Sequence, residues 1–292
     1  MRHEPLTVRE VPSVASDACR LLFRLPHHVR PLWRNVDSRV LCPLNQEHPT
    51  LSAMAQRMLA RYYKNVPHPY RLFEQKVESL LGAPGLVLMD AGCGRTAPVL
   101  GKFLGKAERL IGVEVVPFTE VPKGIETITA DLAKIPIGDA SVDLIMSRAV
   151  FEHLTEPEKV YKEFFRVLKP GGRVVFLTAN MWDYGSIAAR MIPNRFHARV
   201  VKAVEGRAEE DTFPTAYKTN KRSQVNRLSA QSGFTIEAFD YLSQYPNYLM
   251  FNGVLFLAGT AFEKLISKVH ALRFLRGWIL VTLKKPAPEK IA

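Results

Sequence analysis

The hydrophobic positions of this 292-residue chain change their spacing several times, and each change marks a predicted element. Five short apolar runs within the first 180 residues alternate with polar or helical segments, which is the pattern of β-strands separated by crossovers. Strands joined in this way predict βαβ units and a mainly parallel sheet. The runs are Leu86–Asp90, Arg109–Val116, Ile125–Ala130, Val142–Ser147 and Arg173–Thr178.

Helical spacing is clearest between the fourth and fifth of these runs. Thr155 and Glu158 have the spacing of a capping box, and Pro157 falls in the first turn, where a helix tolerates it. Apolar residues then recur every three or four positions until a Lys-Pro-Gly-Gly sequence, residues 169–172, ends the pattern. The predicted apolar face consists of Val160, Tyr161, Phe164, Phe165 and Leu168.

The two flanks of this region have different patterns. Residues 1–50 contain scattered prolines and little periodicity, and we interpret them as an irregular arm. Residues 51–81 are helical in pattern, with a break at Pro67 and Pro69. After residue 180 we predict a helix at 221–232, ended by Gly233, and a strand at 235–241. An apolar helical stretch at 248–261 and a basic amphipathic helix follow, and the last predicted strand is 278–283.

One strand end carries the most informative motif. The first apolar run ends in Asp90, and a turn containing Gly92 and Gly94 follows it. Glycines let the backbone approach a ligand closely. Glu114 and Asp131 follow the second and third runs, so three acids stand at successive strand ends. Because parallel strands end at one edge of a sheet, this predicts a nucleoside site, with Glu114 at the ribose and Asp131 at the adenine amino group.

The glycine turn does not match the dinucleotide-binding fingerprint. That fingerprint is Gly-x-Gly-x-x-Gly, whereas Gly94 is followed here by Arg95, Thr96 and Ala97. An acid directly before the turn would also repel a pyrophosphate. A carboxylate at Asp90 instead favours a ligand with a cationic group, and S-adenosylmethionine (SAM), which carries an ammonium and a sulfonium, has this character.

Taken in order, these motifs are similar to those of a known family. They are DAGCG at 90–94, GVE at 112–114, the acid Asp131, FEHL at 151–154 and LKPGGRVVFLTAN at 168–180. Over about residues 86–180 the chain resembles the class I SAM-dependent methyltransferases of the methyltransferase domain 11 type. The resemblance implies a Rossmann-like α/β fold, with a seven-stranded, mostly parallel sheet, helices on both faces and an antiparallel last strand, here with an N-terminal extension and helical insertions.

The resemblance also implies roles for individual residues in binding SAM. They are Asp90, Gly92, Cys93 and Gly94 at the methionine end, Glu114 at the ribose, Asp131 and Leu132 at the adenine, and Ser147 on the sugar–methionine side. We interpret Cys93 as a small packing residue of the turn rather than a nucleophile. Thr96 stands where the family usually has a further glycine, which bears on the shape of the turn but not on the fold.

The acceptor side is predicted from the segments outside this match. We expect residues 1–80 to cover it as an arm and a helix, and residues 81–292 to form the methyltransferase domain. Within that domain, we interpret residues 181–220 as an aromatic and basic lid suited to a small organic molecule, and residues 246–277 as an apolar and basic helical insertion. Candidate general bases for a hydroxyl acceptor are His153 (alternatively a helix-start residue), His197, Asp183 and Tyr184.

Composition and charge narrow the class of protein. With 47% apolar and 23% charged residues, the chain is typical of a globular protein rather than a disordered one. Its net charge of +12 divides into +5 for residues 1–85, zero for 86–180 and +7 for 181–292, so the excess belongs to the expected acceptor side. Three cysteines without zinc-ligand spacing predict no metal site. Because we find no secretory signal and no apolar stretch long enough to span a bilayer, we expect a cytoplasmic protein.

Other acceptors and one other class of protein remain open. We interpret the insertion at 246–277 first as a helix pair on the sheet or a dimer interface. The alternative is a peripheral membrane contact, and then a lipid or lipid-linked sugar as acceptor. RNA is disfavoured, because the fourth strand ends in Ser-Arg-Ala-Val (147–150) rather than in a base-methylation signature. The acids at 90, 114 and 131 disfavour a non-catalytic scaffold. We therefore predict SAM-dependent methyl transfer to a small molecule by in-line displacement, with no prediction of the oligomeric state.

Overall fold

The computed structural model describes residues 52–191 and 214–287, with side chains described as far as residue 187 in the first range. Both ranges belong to one compact unit, His48–Ala292. The predicted arm at 1–50, a large part of the predicted lid at 181–220 and the candidate base His197 lie outside the described residues.

A seven-stranded sheet forms the centre of this unit, with the strand order β3-β2-β1-β4-β5-β7-β6. Neighbouring strands from β3 to β5 are parallel, whereas β7 is antiparallel to both β5 and β6. The strands are β1 Val87–Ala91, β2 Arg109–Glu114, β3 Ile125–Thr129, β4 Val142–Arg148, β5 Leu168–Ala179, β6 Thr235–Leu242 and β7 Trp278–Lys284. The predicted Rossmann-like sheet is confirmed, and its strand order reverses between β1 and β4, where ligands bind in folds of this kind.

Six α-helices lie in the described residues, some before the sheet begins and others between its strands. Gly233 follows the fifth helix in the left-handed conformation, with φ of +87°, as its predicted role as a helix stop requires. The helices are α1 Ala53–Tyr62, α2 Pro69–Leu80, α3 Pro157–Val167, α4 Tyr184–Met191, α5 Arg222–Ser232 and α6 Gly253–Lys268.

Alternation along the strands produces an apolar core on each face of the sheet. On one face, Met89 and Phe176 pack with residues of α3 and α5. On the other face, Leu88 and Val175 pack with Phe73 of α2. Because both faces are covered, the central strands are apolar at nearly every position, as they are in parallel sheets generally.

The predicted start of α3 is wrong by one residue. Glu156 is the N-cap, and no side chain accepts a capping hydrogen bond there, so Thr155 and Glu158 do not form a capping box. The end also differs, because the helix stops at Val167 and the chain enters β5 directly at Leu168. Lys285 satisfies that junction by donating from Nζ to the carbonyl of Leu168 at 2.7 Å.

The insertion before β7 is one helix rather than the two segments that the sequence predicts. The side chain of Asn252 caps α6 by accepting hydrogen bonds from the N–H groups of Val254 and Leu255, and the helix runs on to Lys268. A short 3₁₀ segment, His270–Leu275, then leads to β7. Residues 243–277 connect two strand ends that are neighbours in the sheet, because Leu242 at the end of β6 is paired with Trp278 at the start of β7.

Candidate active site

The carboxyl ends of β1, β2 and β4 lie side by side, and they bring together most of the residues predicted to bind SAM. Asp90 of β1 is in register with Gly112 of β2 and Met146 of β4. The hydroxyl of Ser147 donates to the carbonyl of Ala91 at 2.7 Å, which fixes the end of β4 against the end of β1. The predicted cofactor residues of β1 and β4 therefore meet at one point of the sheet edge.

The turn after β1 depends on its two glycines, which have φ of +78° at Gly92 and +75° at Gly94. A side chain at position 92 would collide with a neighbour, because its Cβ would lie 2.4 Å from Cγ2 of Val150. At position 94 a Cβ would meet no heavy atom within 4 Å, so this part of the turn faces open space. The turn thus has one packed side and one open side, and the open side is where a ligand can approach the backbone.

Glu114 at the end of β2 is tied to the same turn. One carboxylate oxygen accepts a hydrogen bond from the N–H of Gly94 at 2.8 Å, and the other accepts from the N–H of Val115 at 2.8 Å. The side chain is buried, with 9% of its surface exposed. A carboxylate oxygen has room for more than one donor, so Glu114 is placed to accept the ribose hydroxyls that the sequence assigns to it.

Asp90 is the most unusual charge of the site. It is 3% exposed, and within the described ranges its side chain makes no hydrogen bond. Burial raises the pKa of this carboxyl to about 7, the guanidinium of Arg148 opposes that rise, and the carboxylate of Glu114 adds to it. A buried carboxylate without a partner is stabilised by a cation, so Asp90 fits the ammonium group of a bound ligand.

Arg148, which the sequence did not single out, links the site to helix α2. Its guanidinium lies 4.3 Å from the ring centre of Tyr70 and 3.4 Å from a carboxylate oxygen of Glu74. Lys102 donates to the same Glu74 oxygen at 2.6 Å. The positive charge beside Asp90 is therefore held by an aromatic ring and a buried acid of α2. Only the position of Arg148 directly after Ser147 could have indicated this role.

The remaining predicted cofactor residues have clear positions. Cys93 is buried, and its Sγ would lie 2.9 Å from a Cβ added at Gly112, so it packs under the turn. Burial raises the pKa of its thiol, which fits the predicted packing role. Asp131 is exposed after β3 and accepts a hydrogen bond from the N–H of Ala133 at 2.8 Å, while Leu132 beside it is buried. The structure brings Asp131 near the same edge through the pairing of β2 with β3.

The FEHL motif has a structural function that the sequence did not reveal. Glu152 is buried and accepts a hydrogen bond from the hydroxyl of Thr178 at 2.7 Å, and Asn220 donates to the same hydroxyl at 2.9 Å. Nδ1 of His153 lies 3.1 Å from the carbonyl of Pro214. The motif thus connects the end of β5 with the chain that precedes α5.

Asp183 and Tyr184 lie just beyond β5, at the start of α4. One oxygen of Asp183 accepts hydrogen bonds from the N–H groups of Gly185 and Ser186, at 3.0 and 3.4 Å. The other oxygen is buried and has no hydrogen-bond partner in the part of the chain that is described. Burial raises the pKa of Asp183 to about 6, against the opposing effect of the backbone hydrogen bonds. Asp183 is therefore both a helix cap and a buried acid with an unused acceptor.

A second buried acid faces this region from α6. Glu263 is 2% exposed, and neither of its carboxylate oxygens has a hydrogen-bond partner among the described residues. Burial raises its pKa to about 8, the charge of Asp183 raises it further, and Arg276 lowers it. The buried hydroxyl of Tyr184 is likewise unpaired there. Asp183, Tyr184 and Glu263, which we call the acidic cluster, give the interior beyond β5 an unusual surplus of hydrogen-bond acceptors.

Comparisons with known proteins agree with this geometry. The model of the family described as "Methyltransferase domain" matches residues 89–176. An uncharacterised methyltransferase of Mycobacterium leprae is 30% identical over 209 residues, which are 63% of this chain and 77% of that protein. A probable S-adenosylmethionine-dependent methyltransferase of Mycolicibacterium smegmatis is 32% identical over 130 residues, 41% of this chain and 48% of that protein.

A third relative is an uncharacterised 37.1 kDa protein in a transposon of Streptomyces fradiae, 30% identical over 143 residues, which are 46% of this chain and 39% of that protein. The match therefore spans less than half of two of these three relatives. The family match, the sheet topology and the positions of the motifs nevertheless agree with one another. The chain belongs to the class I SAM-dependent methyltransferases.

The residues at the sheet edge fit the cofactor of this family. The carboxyl of Asp90 makes no hydrogen bond within the described residues and can pair with the ammonium of SAM. Glu114 retains capacity for hydroxyl donors, and the open side of Gly94 leaves room for the ligand. No group of three or more His, Cys, Asp or Glu side chains suited to a metal ion occurs in the described ranges.

We expect Gly92→Ala to weaken SAM binding at least about tenfold. The added Cβ would overlap Val150, and a non-glycine residue at this φ costs about 1–2 kcal/mol in addition. Gly138→Ala is the matched control, because a Cβ at that exposed position meets nothing within 4 Å. The dissociation constants follow from titration calorimetry, with circular dichroism to show that both variants fold. Equal affinity for SAM in the two variants would contradict the turn geometry.

We expect Glu263→Gln to remove part of the pH dependence of stability. The folded-state pKa is raised from 4.5 to about 8, so the wild-type free energy of unfolding falls as pH rises through this interval. One such group contributes a slope of about 1.4 kcal/mol per pH unit. Glutamine resembles the protonated acid, so the variant becomes more stable than the wild type near pH 8 and not near pH 5.

Urea denaturation at a series of pH values measures this difference. Glu120→Gln, at an exposed acid, is the control and should follow the wild-type curve. If Glu263→Gln and the wild type lose stability in parallel up to pH 8, the buried carboxyl does not titrate as described.

Proposed function

We propose that this protein transfers the methyl group of SAM to a small-molecule acceptor. The observation that carries the proposal is the buried carboxyl of Asp90, which makes no hydrogen bond within the described ranges and lies beside the open glycine turn, because it selects a cationic ligand over a phosphate. The relatives named as methyltransferases support the same reaction.

Each predicted cofactor residue has a task in this proposal. Asp90 binds the ammonium group, and the backbone of Gly92, Cys93 and Gly94 lines the methionine end. Glu114 accepts the ribose hydroxyls with the oxygens that also hold the turn. Ser147 keeps the end of β4 in place on the sugar–methionine side, and Asp131 with Leu132 borders the adenine.

Bound SAM supplies a methyl group already activated by its sulfonium. The chain therefore has to align the acceptor with that methyl group and exclude water, and alignment alone is worth about 7–11 kcal/mol in well-oriented reactions. The acidic cluster lies beyond the end of β5, and we assign it to the acceptor side. Its unused acceptors suit an acceptor molecule that carries hydroxyl or amino groups.

Among the candidate bases, we assign the role to Asp183. A base must be largely ionised at the working pH and must have an oxygen available to receive a proton. With a pKa of about 6 and one oxygen unpaired within the described residues, Asp183 meets both conditions. Tyr184 beside it has a raised pKa and would position the acceptor as a hydrogen-bond donor.

An acceptor held at a membrane surface is the second candidate. The outer face of α6 favours this candidate, because that face carries exposed apolar residues. A lipid or lipid-linked sugar would be such an acceptor.

We expect the protein, incubated with SAM labelled on its methyl group and with fractionated cell extract, to label the small-molecule fraction. Label in the lipid fraction would select the membrane acceptor. Label confined to RNA would overturn the proposal. No label together with no SAM binding by calorimetry would show a scaffold with the methyltransferase fold.

We expect Asp183→Asn to lower kcat about 10²–10⁴-fold on the labelled fraction and to leave the affinity for SAM unchanged. Asparagine keeps an oxygen for the cap of α4 but cannot accept the proton. The wild-type rate should rise with pH up to about 6 and then level off, and the variant should lose this dependence. An unaltered pH profile in the variant would remove Asp183 from the role of base.

A further inference from the structure

Helix α6 has apolar residues on both faces, with Phe256 and Ile266 buried on the inner one, whereas an ordinary surface helix keeps its apolar stripe on the core side. Its inner face carries Thr260 and Glu263, which are 3% and 2% exposed. Its outer face carries Val254, Leu257 and Leu265, which are 69%, 45% and 51% exposed. Since a helix in water gains nothing by presenting its aliphatic residues to the solvent, the outer face of α6 suits an apolar environment.

Helix α1 lies alongside α6 and extends this surface. At one end, a Cβ on Gly253 would lie 2.7 Å from Sδ of Met54. At the other end, Nζ of Lys264 lies 3.9 Å from the ring centre of Tyr62. We call the combined surface the α1–α6 face, with the exposed apolar residues Met54, Phe251, Val254, Leu255, Leu257 and Leu265, and the exposed basic residues Arg61, Lys64, Lys264 and Lys268.

The charge of the α1–α6 face has one sign. Residues 52–66 contain three Lys or Arg and no acid, and residues 247–277 contain four Lys or Arg and one acid. That acid is Glu263, which is buried on the inner face of α6. An apolar stripe edged by cations is the arrangement by which a helix binds the headgroup and acyl boundary of an anionic bilayer.

We propose that the α1–α6 face is a docking surface for an anionic lipid bilayer. No helix in the described ranges is long and apolar enough to cross a membrane, so the contact is one of docking on the surface. The aliphatic residues of α6 enter the interface, and the lysines at its C-terminal end bind lipid phosphates.

A second copy of the chain fits this face less well. A symmetric dimer would bring the same patch of each copy together and would place Lys264 and Lys268 near their own equivalents. Like charges facing each other across an interface are unfavourable, and the face exposes no acid to compensate them within residues 52–66 and 247–277. Phosphate headgroups supply the opposite charge without this conflict.

The experiment is co-sedimentation of the full chain with vesicles. The probes are vesicles of phosphatidylglycerol mixed with phosphatidylcholine and vesicles of phosphatidylcholine alone. We expect binding to the anionic vesicles, with weakening at high salt, and at most weak binding to the neutral ones. Absence of binding to anionic vesicles at low salt would overturn the proposal.

Two variants test the face itself. Lys264→Gln with Lys268→Gln should weaken binding about 25-fold, taking about fivefold for each lysine near an anionic surface. Val254→Ser with Leu257→Ser and Leu265→Ser should abolish it. The matched controls are Lys123→Gln with Lys162→Gln and Leu104→Ser, which change exposed residues elsewhere and should bind as the wild type does.

Further measurements separate the outcomes. Circular dichroism shows whether the variants fold, and SAM binding shows whether the cofactor site is intact, so loss of methyl transfer cannot be confused with loss of docking. Binding that the face variants leave unchanged would overturn the proposal. Sedimentation velocity without lipid that shows a dimer, dissociated by the apolar triple variant, would assign the face to a second copy and overturn it as well.

Discussion

A buried carboxyl at the end of β1 dominates the electrostatics of this sheet edge. Asp90 is buried between two paired neighbouring strands, and this burial raises its pKa to about 7. Arg148 keeps the ionised form accessible, and Arg148 in turn depends on Tyr70 and Glu74 of α2. The helix before the sheet is therefore part of the electrostatics of the site and not only a cover for it.

The fold was largely predictable because its signals are local. Apolar runs separated by polar or helical segments, three of them with an acid at the end, predict strands whose carboxyl ends meet. Gly92 and Gly94 have the positive φ that the turn after β1 requires. The boundaries of α3 were less predictable. Nothing in residues 167–172 shows that the chain passes from α3 into β5 without a turn, because the junction is satisfied by Lys285, more than a hundred residues away.

The parts of the site that were missed depend on contacts between distant residues. The hydrogen bond between Glu152 and Thr178, the support of Arg148 by α2 and the burial of Glu263 are made by the assembled fold. The extent of α6 was missed for a related reason, because the sequence pattern divides this region into an apolar stretch and a separate amphipathic helix. Phe256 and Ile266, one from each predicted segment, are buried on the same face of α6, and the spacing alone does not show that one helix carries them.

The hairpin geometry of residues 243–277 has a consequence for how this protein can change. The residues on either side of the segment, Leu242 and Trp278, are paired in the sheet. In addition, the indole N–H of Trp278 donates a hydrogen bond to Oε1 of Gln244 at 2.6 Å. Lengthening or shortening such a loop alters its closure entropy only slowly, by about 0.6 kcal/mol per doubling. The region carrying Glu263 and the outer face of α6 can thus change in length at little cost in closure entropy, while the edge at Asp90 stays untouched.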